Sequence, residues 1–382
     1  MERMSSTWCR GIMLAALLAA ALLSPASASG DGCPLPCSGQ SSSPTSAKYL
    51  YVQPAGEGGR LLAYDTASGK LAFGFPAGRA SGDGLWFHTA APSGSDTAIA
   101  RWQLGTGRAV SAWTFAGRWR LAGVSPGGRW LALVRRATEI AIVDAATTRI
   151  AHRLRLDGDF EVETVSADGK RLFLIEHLDA GRYLVRLYDL RGERLVTNPL
   201  RAKGEDRIMA GLAWSGVASP DGRWLLTLYL NTARDQAFVH ALDLIRSQAV
   251  CIDLPSGSGE LDLLKRYALK LSPDGRTLYA ANAALGALAE IDLGSKRVVE
   301  RATFPARLTG AAPPRGATAT ISRDGRRLFF TGGRDLWRYD TVRNRVGGPF
   351  RTGGRLVGLG FGVGDHSVHA LRADGRLLSF SA

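Results

Sequence analysis

A short turn pattern recurs along this 382-residue chain and constrains its fold more than any other feature. Each copy has a serine, two variable residues, a glycine, a basic residue, a variable residue and a leucine. Proline presets φ in such turns, aspartate bonds its own backbone, and glycine adopts a positive φ. The pattern therefore predicts tight turns that each lead into a strand. The five copies cover residues 125–131, 166–172, 219–225, 272–278 and 322–328.

A second landmark, usually an aspartate, ends another strand and reverses the chain. Successive landmarks are separated by about 46 residues on average, the length of one four-stranded propeller blade, and helical periodicity is almost absent between them. We therefore predict an all-β chain, a β-propeller of four-stranded blades, because radial stacking buries both faces of each blade. The landmarks are Asp65, Gln103, Asp144, Asp189, Asp243, Asp292 and Asp340.

The number of blades follows from the completeness of the repeats. Seven copies are full, and an eighth, over residues 367–381, ends before its outermost strand. Little room exists for an inner strand between Pro76 and Leu85, and the total is about 29 strands. Seven blades are favoured, with eight as the alternative. We expect residues 49–53 to close the ring against the C-terminal strands.

The repeat resembles that of the YVTN/WD40-like propellers of bacterial exported proteins, and residues 272–299 are its best copy. The resemblance covers nearly all of residues 48–382 and implies a propeller fold. Members of this group include binding proteins of uncharacterised function, sugar-lactonase-like enzymes and subunits of quinoprotein dehydrogenases, so no single function is implied. Gly-His and Trp-Asp signatures are missing from the sequence, and a cytosolic scaffold is not implied.

The N-terminus has the layout of a cleavable signal peptide. Arg3 and Arg10 precede an apolar run over residues 11–23, and Ala26-Ser27-Ala28 is a cleavage pattern. The run is shorter than the roughly 20 residues of a membrane-spanning helix. We expect export to the periplasm, the cell surface or the medium. The expected regions are a signal peptide (1–28), a serine-rich tether (29–47) and a single propeller domain (48–382).

Cysteine usage is sparse. Cys33 and Cys37 are close enough in sequence for a small disulfide loop in an oxidising compartment, and their pairing stays open. Lipidation at Cys33 is a weaker alternative, because residues 30–32 lack the expected aliphatic residue. Cys251 lies in an apolar stretch, and we expect a buried strand thiol.

The formal net charge of +14 permits anionic partners, such as lipid headgroups or acidic glycans. However, only seven of the 48 basic residues are lysines, which is typical of a GC-rich genome. The sequence has no run of five basic residues. We therefore expect no specific nucleic-acid partner.

The best cation candidate is the acidic run over residues 157–163. In a regular strand Asp159, Glu161 and Glu163 share one face. The run begins like a calcium loop, but Val162 occupies the position that requires glycine. Lactonase-like relatives hold a divalent ion in the central channel, so the resemblance implies a metal site here if the run is an inner strand. The favoured alternative is a solvated strand edge without a cofactor.

Long loops mark a second candidate site. They cover residues 177–182, 201–211, 231–236, 255–267 and 305–316, and loops on a rigid scaffold commonly carry function. An arginine-rich loop sector suits an anionic or carboxylate-bearing ligand through bidentate contacts; the alternative is that exposed loops are simply polar. The predicted ligand-binding residues are Arg201, Lys203, Glu205, Asp206, Arg207, Arg234, Asp235, Lys265, Arg266 and Tyr267.

Other chemical motifs are weak. Residues 123–127 match the Gly-x-Ser-x-Gly nucleophile pattern, but they coincide with the repeat turn, so a structural use of Ser125 is favoured. The histidines form no helical metal pair. Trp113 and Trp119 bracket Phe115 and Arg118 near a blade junction, where packing is favoured over a sugar platform.

These observations favour an exported, non-catalytic binding or scaffold propeller whose partner is a protein or an anionic small molecule. The first alternative is a metal-dependent, lactonase-like hydrolase or lyase, which rests on Asp159, Glu161 and Glu163. The second is a propeller subunit of a periplasmic redox complex. No catalytic residue is predicted.

Overall fold

A computed structural model describes residues 48–53, 60–136, 138–179, 181–201, 208–231, 233–255, 261–308 and 317–382. The signal peptide, the tether, Cys33 and Cys37 lie outside these residues. The described chain is a β-propeller whose strands form eight antiparallel sheets, which we number as blades 1 to 8 in chain order. The described strands therefore form eight blades, the alternative count, and not the favoured seven. Blades 1 and 8 have three strands each, which is why the strand total was compatible with seven blades.

Strands within a full blade are called a to d in chain order. Blade 1 contains Tyr49–Val52, Leu61–Asp65 and Leu71–Phe75. Blade 2 contains Gly78–Ala80, Trp86–Ser93, Asp96–Gln103 and Arg108–Phe115. Blade 3 contains Arg120–Val124, Trp130–Arg135, Glu139–Asp144 and Arg149–Arg155. Blade 4 contains Phe160–Val165, Arg171–His177, Arg182–Asp189 and Arg194–Leu195, and the extra strand Met209–Ala210 pairs with its strand c.

The second half of the ring continues the pattern. Blade 5 contains Leu212–Ala218, Trp224–Asn231, Gln236–Asp243 and Gln248–Asp253. Blade 6 contains Ala268–Leu271, Thr277–Asn282, Ala287–Asp292 and Arg297–Thr303. Blade 7 contains Ala319–Ile321, Arg327–Thr331, Asp335–Asp340 and Arg345–Arg351. Blade 8 contains Leu356–Phe361, Ser367–Arg372 and Leu377–Ser381. A short α-helix (Leu261–Leu264) and two 3₁₀ turns (Leu104–Thr106 and Val363–Asp365) complete the described secondary structure.

The first strands of the blades surround the central axis. Those of blades 2, 3 and 4 pack against one another in sequence, and so do those of blades 5, 6, 7, 8 and 1. Two junctions do not belong to this closely packed set: blade 1 with blade 2, and blade 4 with blade 5. At the second of these, polar side chains of blades 4 and 5 are bonded to each other.

The repeat turn joins strands a and b, and a buried serine holds it. In blade 4 the Ser166 hydroxyl donates to Asp168 at 2.6 Å and accepts from the Arg171 amide at 3.0 Å. Gly169 has a φ of +72°, and a Cβ at this position would lie 2.3 Å from the Trp130 ring of blade 3. The turn therefore sets both the strand reversal and the spacing between blades.

The structure contains a further copy of this turn, in blade 2. Ser81 donates to Asp83 and accepts from the Trp86 amide at 3.0 Å, like its counterparts. The sequence analysis missed this copy because Leu85 replaces the basic residue after the glycine. The short strand Gly78–Ala80 supplies the inner strand for which little room was expected.

Apolar packing between blades 8 and 1 closes the ring. Leu50 and Val52 of blade 1 pack with Val357, Leu371 and Leu377 of blade 8. In the described chain no strand of blade 8 pairs with a strand of blade 1. The predicted closure of residues 49–53 against the C-terminal strands therefore occurs through side chains.

Antiparallel connectivity assigns the connections to two faces. The a–b and c–d turns lie on one face, called the turn face. The b–c hairpins and the connections from strand d to the next strand a lie on the other, called the loop face. All five long loops predicted from the sequence belong to the loop face, over blades 4 to 7. Among the described residues, no helix is long and apolar enough to cross a membrane.

Candidate functional site

Four aromatic rings stack at the junction of blades 4 and 5. The centroids of Tyr183 and Tyr229 are 5.0 Å apart, and those of Tyr229 and Phe238 are 5.5 Å apart. The imidazole of His240 lies 5.4 Å from the Tyr229 ring and 5.9 Å from the Tyr183 ring. All four residues are buried. We call Tyr183, Tyr229, Phe238 and His240 the aromatic stack.

Hydrogen bonds join the polar ends of the stack. The Tyr183 hydroxyl lies 3.1 Å from His240 Nδ1, and it is also bonded to the Tyr229 hydroxyl. Burial lowers the pKa of His240 to about 4. Burial raises the pKa of both tyrosines far above the usual value, and the negative charge of Glu163 acts on both in the same direction. The stack is therefore uncharged at neutral pH.

A group of acidic residues lies beside the stack on the inner strand of blade 4. Loss of hydration around the Glu163 carboxyl, reinforced by the charge of Glu161, raises the pKa of Glu163 to about 8. The positive charges of Arg79 and His177 oppose this shift. With a pKa of about 8, the Glu163 carboxyl is mostly protonated at pH 7.

Glu161 is paired with a histidine at the end of the neighbouring strand. Its Oε2 lies 3.3 Å from His177 Nε2. This hydrogen bond raises the pKa of His177, and the charges of Glu161, Asp159 and Glu163 add to the effect. Both side chains are partly exposed and lie towards the loop face. When His177 is protonated, they form an ion pair on this face.

The predicted metal ligands do not fit a metal ion. Regular alternation would align Asp159, Glu161 and Glu163, but a β-bulge between Val162 and Thr164 breaks the register at Glu163. Glu161 is already bonded to His177. No group of three or more His, Cys, Asp or Glu side chains in the described chain could hold a metal ion.

An exposed apolar patch lies on the loop face over the same two blades. Leu178, Ile208 and Leu212 are 37%, 46% and 42% exposed. The extra strand Met209–Ala210 pairs with Arg182 and Tyr183, and the Gly211 amide donates to the Gly181 carbonyl at 3.2 Å. These bonds join the b–c hairpin of blade 4 to the connection into blade 5. We call Leu178, Ile208 and Leu212 the apolar patch.

Three predicted rim residues are exposed near this patch. Arg201 lies at the end of blade 4, and Arg234 and Asp235 form the b–c turn of blade 5. The predicted Lys203, Glu205, Asp206 and Arg207 lie outside the described residues. The described part of the predicted rim is thus two arginines and one aspartate.

The other three predicted residues stabilise the connection into blade 6. Lys265 lies 3.7 Å from Asp262 and over the Trp214 ring. Arg266 is 5% exposed and donates to the Asp262 carbonyl at 3.0 Å. Tyr267 is fully buried, and its hydroxyl donates to the Pro255 carbonyl. Arg266 and Tyr267 are therefore packed inside the fold and do not belong to the accessible rim. Sequence reasoning placed them in a loop and could not anticipate that the short helix buries them.

Two other sequence interpretations have clear outcomes. Ser125 is fully buried and accepts a hydrogen bond from the Trp130 amide at 2.9 Å, which confirms its structural use. Cys251 lies in a strand as predicted, but it is half-buried, and its thiol donates to the Met209 sulfur at 3.7 Å.

Comparison with known proteins identifies the fold class alone. No protein-family model and no curated protein matches the chain. The solved structure of the dihydro-haem d1 dehydrogenase NirN, in complex with DHE, is 17% identical, with a TM-score of 0.50 over 88% of this chain and 71% of NirN. The chain is therefore a β-propeller protein, and the YVTN-type repeat family remains a prediction.

Two further solved structures are similar at lower scores. Hydrazine synthase from Kuenenia stuttgartiensis is 13% identical, with a TM-score of 0.42 over 79% of this chain and 94% of that one. The propeller domain of Cps50 (Swd1) from Myceliophteria thermophila is 13% identical, with a TM-score of 0.40 over 80% and 95%.

Proposed function

We propose that this chain is an exported, non-catalytic binding propeller whose ligand is a protein segment or a small molecule with an anionic group. One observation carries the proposal: the loop face of blades 4 and 5 combines an exposed apolar patch with arginines and a partly exposed ion pair. Elsewhere in the described chain, exposed apolar residues occur mostly one at a time along turns and outer strands, as on ordinary protein surfaces.

The composition of this surface favours a partner with two kinds of group. The apolar patch favours aliphatic or aromatic side chains, because their burial removes apolar area from water. Arg201 and Arg234 stand at its rim, and a guanidinium binds carboxylate or phosphate with two parallel bonds. His177 adds a third donor when it is protonated. A segment with apolar anchors next to an acidic residue matches these features.

The aromatic stack supports binding by holding the surface rigid. Tyr183 belongs to the strand that pairs with Met209–Ala210, so the stack fixes the base of the patch. Preorganised surfaces lose less conformational entropy on binding than mobile ones do. The buried tyrosines and His240 thus position the site without contacting the ligand.

Selection of peptides from a random phage-displayed library would test this proposal. The mature protein is the target, and the double variant Ile208→Asp/Leu212→Asp is used for counter-selection. We expect enriched peptides with an acidic residue next to apolar residues, and we expect binding to fall about tenfold or more in the double variant.

The matched control is Leu308→Asp, an exposed leucine on the same face but on the connection after blade 6. It should leave binding unchanged. Peptides that bind the wild type and the double variant equally would contradict a site on blades 4 and 5.

A second candidate function is a propeller subunit of a periplasmic redox complex. The likeness of fold to NirN, whose structure contains DHE, favours this candidate. Titration of the mature protein with haem, followed by absorption spectroscopy, tests it. A saturable spectral shift at stoichiometric haem would favour this candidate, and its absence would contradict direct haem binding.

A further inference from the structure

A dense group of arginines lies along the loop-face edge of blade 3, beside blade 2. It lies outside the proposed ligand site and was not predicted as a site. Five of its members are exposed, and Arg135 is half-buried. We call this group the arginine edge: Arg118, Arg120, Arg135, Arg136, Arg153 and Arg155.

Strand register aligns these side chains. Glu139 at the start of strand c is paired with Arg135 of strand b and with Arg155 of strand d. Arg153 follows two residues earlier on the same strand d, opposite Ala141. Alternate residues of a strand share a face and are about 6.6 Å apart. Arg153 and Arg155 therefore form a row along the outer strand.

Aromatic rings at the junction orient part of the edge. The Arg135 guanidinium lies 4.7 Å from the centre of the Trp119 ring, and that of Arg153 lies 6.0 Å from the rings of both Phe115 and Trp119. Trp119 is fixed by a 2.8 Å bond from its Nε1 to the Ala116 carbonyl. Stacking on a ring leaves the N–H groups of a guanidinium at its rim available for an anion.

The positive charge of the edge is only partly balanced. Glu139 accepts from Arg135 at 2.7 Å, and the charges of Arg136 and Arg155 also act on it. Asp157 follows Arg155 along the chain, and Asp96 accepts from the Gly117 amide on the facing blade. Arg120, Arg136, Arg153 and Arg155 form no ion pair with described residues.

Arginines that follow the repeat turns, on the turn face of the propeller, have acidic partners. After the repeat turns of blades 3 and 5, Arg129 pairs with Asp144 and Arg223 pairs with Asp243, both at 2.9 Å. Those arginines stabilise the turn face. In the arginine edge, by contrast, only Arg135 has a carboxylate partner among the described residues, and most of the charge faces solvent.

We propose that the arginine edge binds an acidic linear polysaccharide. The row of guanidinium groups matches an extended chain with regularly spaced carboxylates or sulfates better than it matches a planar bilayer. Trp119 and Phe115 are only 8% and 6% exposed, so they offer no open ring on which a nucleobase could stack. Arginine stays charged at every physiological pH, so this binding depends on salt and not on pH.

Binding of a size-defined heparin oligosaccharide and of polygalacturonate to the mature protein tests the proposal. Affinity is measured at low and at physiological salt for the wild type and for Arg136→Gln/Arg153→Gln/Arg155→Gln. If each arginine contributes a factor of about 5 to the affinity, the triple variant should bind on the order of 100-fold more weakly at low salt. Its affinity should also depend less steeply on salt.

The matched control is Arg297→Gln/Arg301→Gln/Arg345→Gln, which removes three exposed arginines from the outer strands of blades 6 and 7. It should weaken binding by less than about threefold, because it changes the net charge without touching the edge. Equal losses in the two triple variants would overturn the proposal in favour of a general charge effect. Tighter, edge-dependent binding to anionic vesicles or duplex DNA would overturn the choice of polysaccharide. No binding of either probe by the wild type at low salt would overturn the proposal as a whole.

Discussion

The junction of blades 4 and 5 and the edge between blades 2 and 3 use polar residues in opposite ways. At the first, loss of hydration raises the pKa of Glu163 to about 8 and lowers that of His240 to about 4, and Glu161 is bonded to His177. At the second, five of the six arginines are exposed, and the positive charge of the group is only partly balanced. The same propeller scaffold thus carries one region that titrates near neutral pH and one that does not. Depth in the fold, more than residue composition, decides which behaviour a polar group has.

The largest expected effect is a loss of stability at the junction of blades 4 and 5. Tyr183→Ala should lower the free energy of unfolding by about 3–5 kcal/mol, because it removes a buried ring from the stack. Urea unfolding measures the change. Tyr183→Phe keeps the ring but removes the hydroxyl, and it should cost only about 1–3 kcal/mol because polar partners lose a bond. Equal effects of the two substitutions would show that the hydroxyl network, and not ring packing, dominates the junction.

A second prediction concerns pH. Glu163 has a folded-state pKa of about 8, above its usual 4.5. Unfolding therefore releases a proton between these values, and the contribution to stability, full below pH 4.5, is lost as the pH rises to about 8. Glu163→Gln should reduce this decline, visible as a flatter melting temperature between pH 6.5 and 8; the part that remains comes from His177, whose raised pKa acts in the same direction. Glu300→Gln, at an exposed outer-strand position, is the control and should leave the decline in place.

At acid pH, His240 makes the stability of the fold fall as the pH decreases. His240 has a lowered pKa of about 4, so below pH 6.5 unfolding takes up a proton that the folded state does not bind. The histidine therefore destabilises the fold as the pH falls towards 4. The window above pH 6.5 isolates Glu163 from this opposing effect. A decline of equal slope in Glu163→Gln and wild type would contradict the assignment.

Smaller effects are expected at the arginine edge. The triple substitution of Arg136, Arg153 and Arg155 by Gln should change the free energy of unfolding by less than about 0.5 kcal/mol per site. Exposed charges contribute little to stability. Chemical denaturation of the variant tests this. A larger loss would show that these residues hold the fold together, which would weaken the contrast between the two regions.

The smallest effect is expected from chelation. The geometry of Asp159, Glu161 and Glu163 does not fit a metal ion, so a chelator should leave the melting temperature of the mature protein unchanged. Metal content, measured by mass spectrometry on protein purified without chelators, is the direct test. A stoichiometric divalent ion that is lost in Glu163→Gln would revive the hydrolase alternative.

Local turn chemistry made most of the fold predictable from the sequence. In the repeat turn the serine and aspartate side chains bond nearby backbone amides and glycine adopts a positive φ, so the signal is contained in a few adjacent residues. Blade number was harder, because the first and last blades have three strands each in the described chain. The turn at Ser81 was missed since Leu85 departs from the repeat.

The candidate site was less predictable, because it depends on contacts between distant segments. Tyr183, Tyr229 and His240 belong to two different blades, and each alone resembles an ordinary strand residue. The bulge at Glu163 is a register effect that alternation cannot show. The sequence signal available for the aromatic stack was the presence of aromatic and histidine residues in the strands of two consecutive repeats.

Ring closure between blades 8 and 1 has a mechanical consequence. Seven junctions in the eight-blade ring are bridged by the polypeptide itself, whereas the eighth is held in the described chain by interlocked side chains. Gly358 and Gly360 leave the space that Val52 and Leu50 fill; a Cβ at Gly358 would lie 2.5 Å from Val52. Under a pulling force, this seam is the junction where the ring would part first, because among the described residues no strand pairing resists separation there.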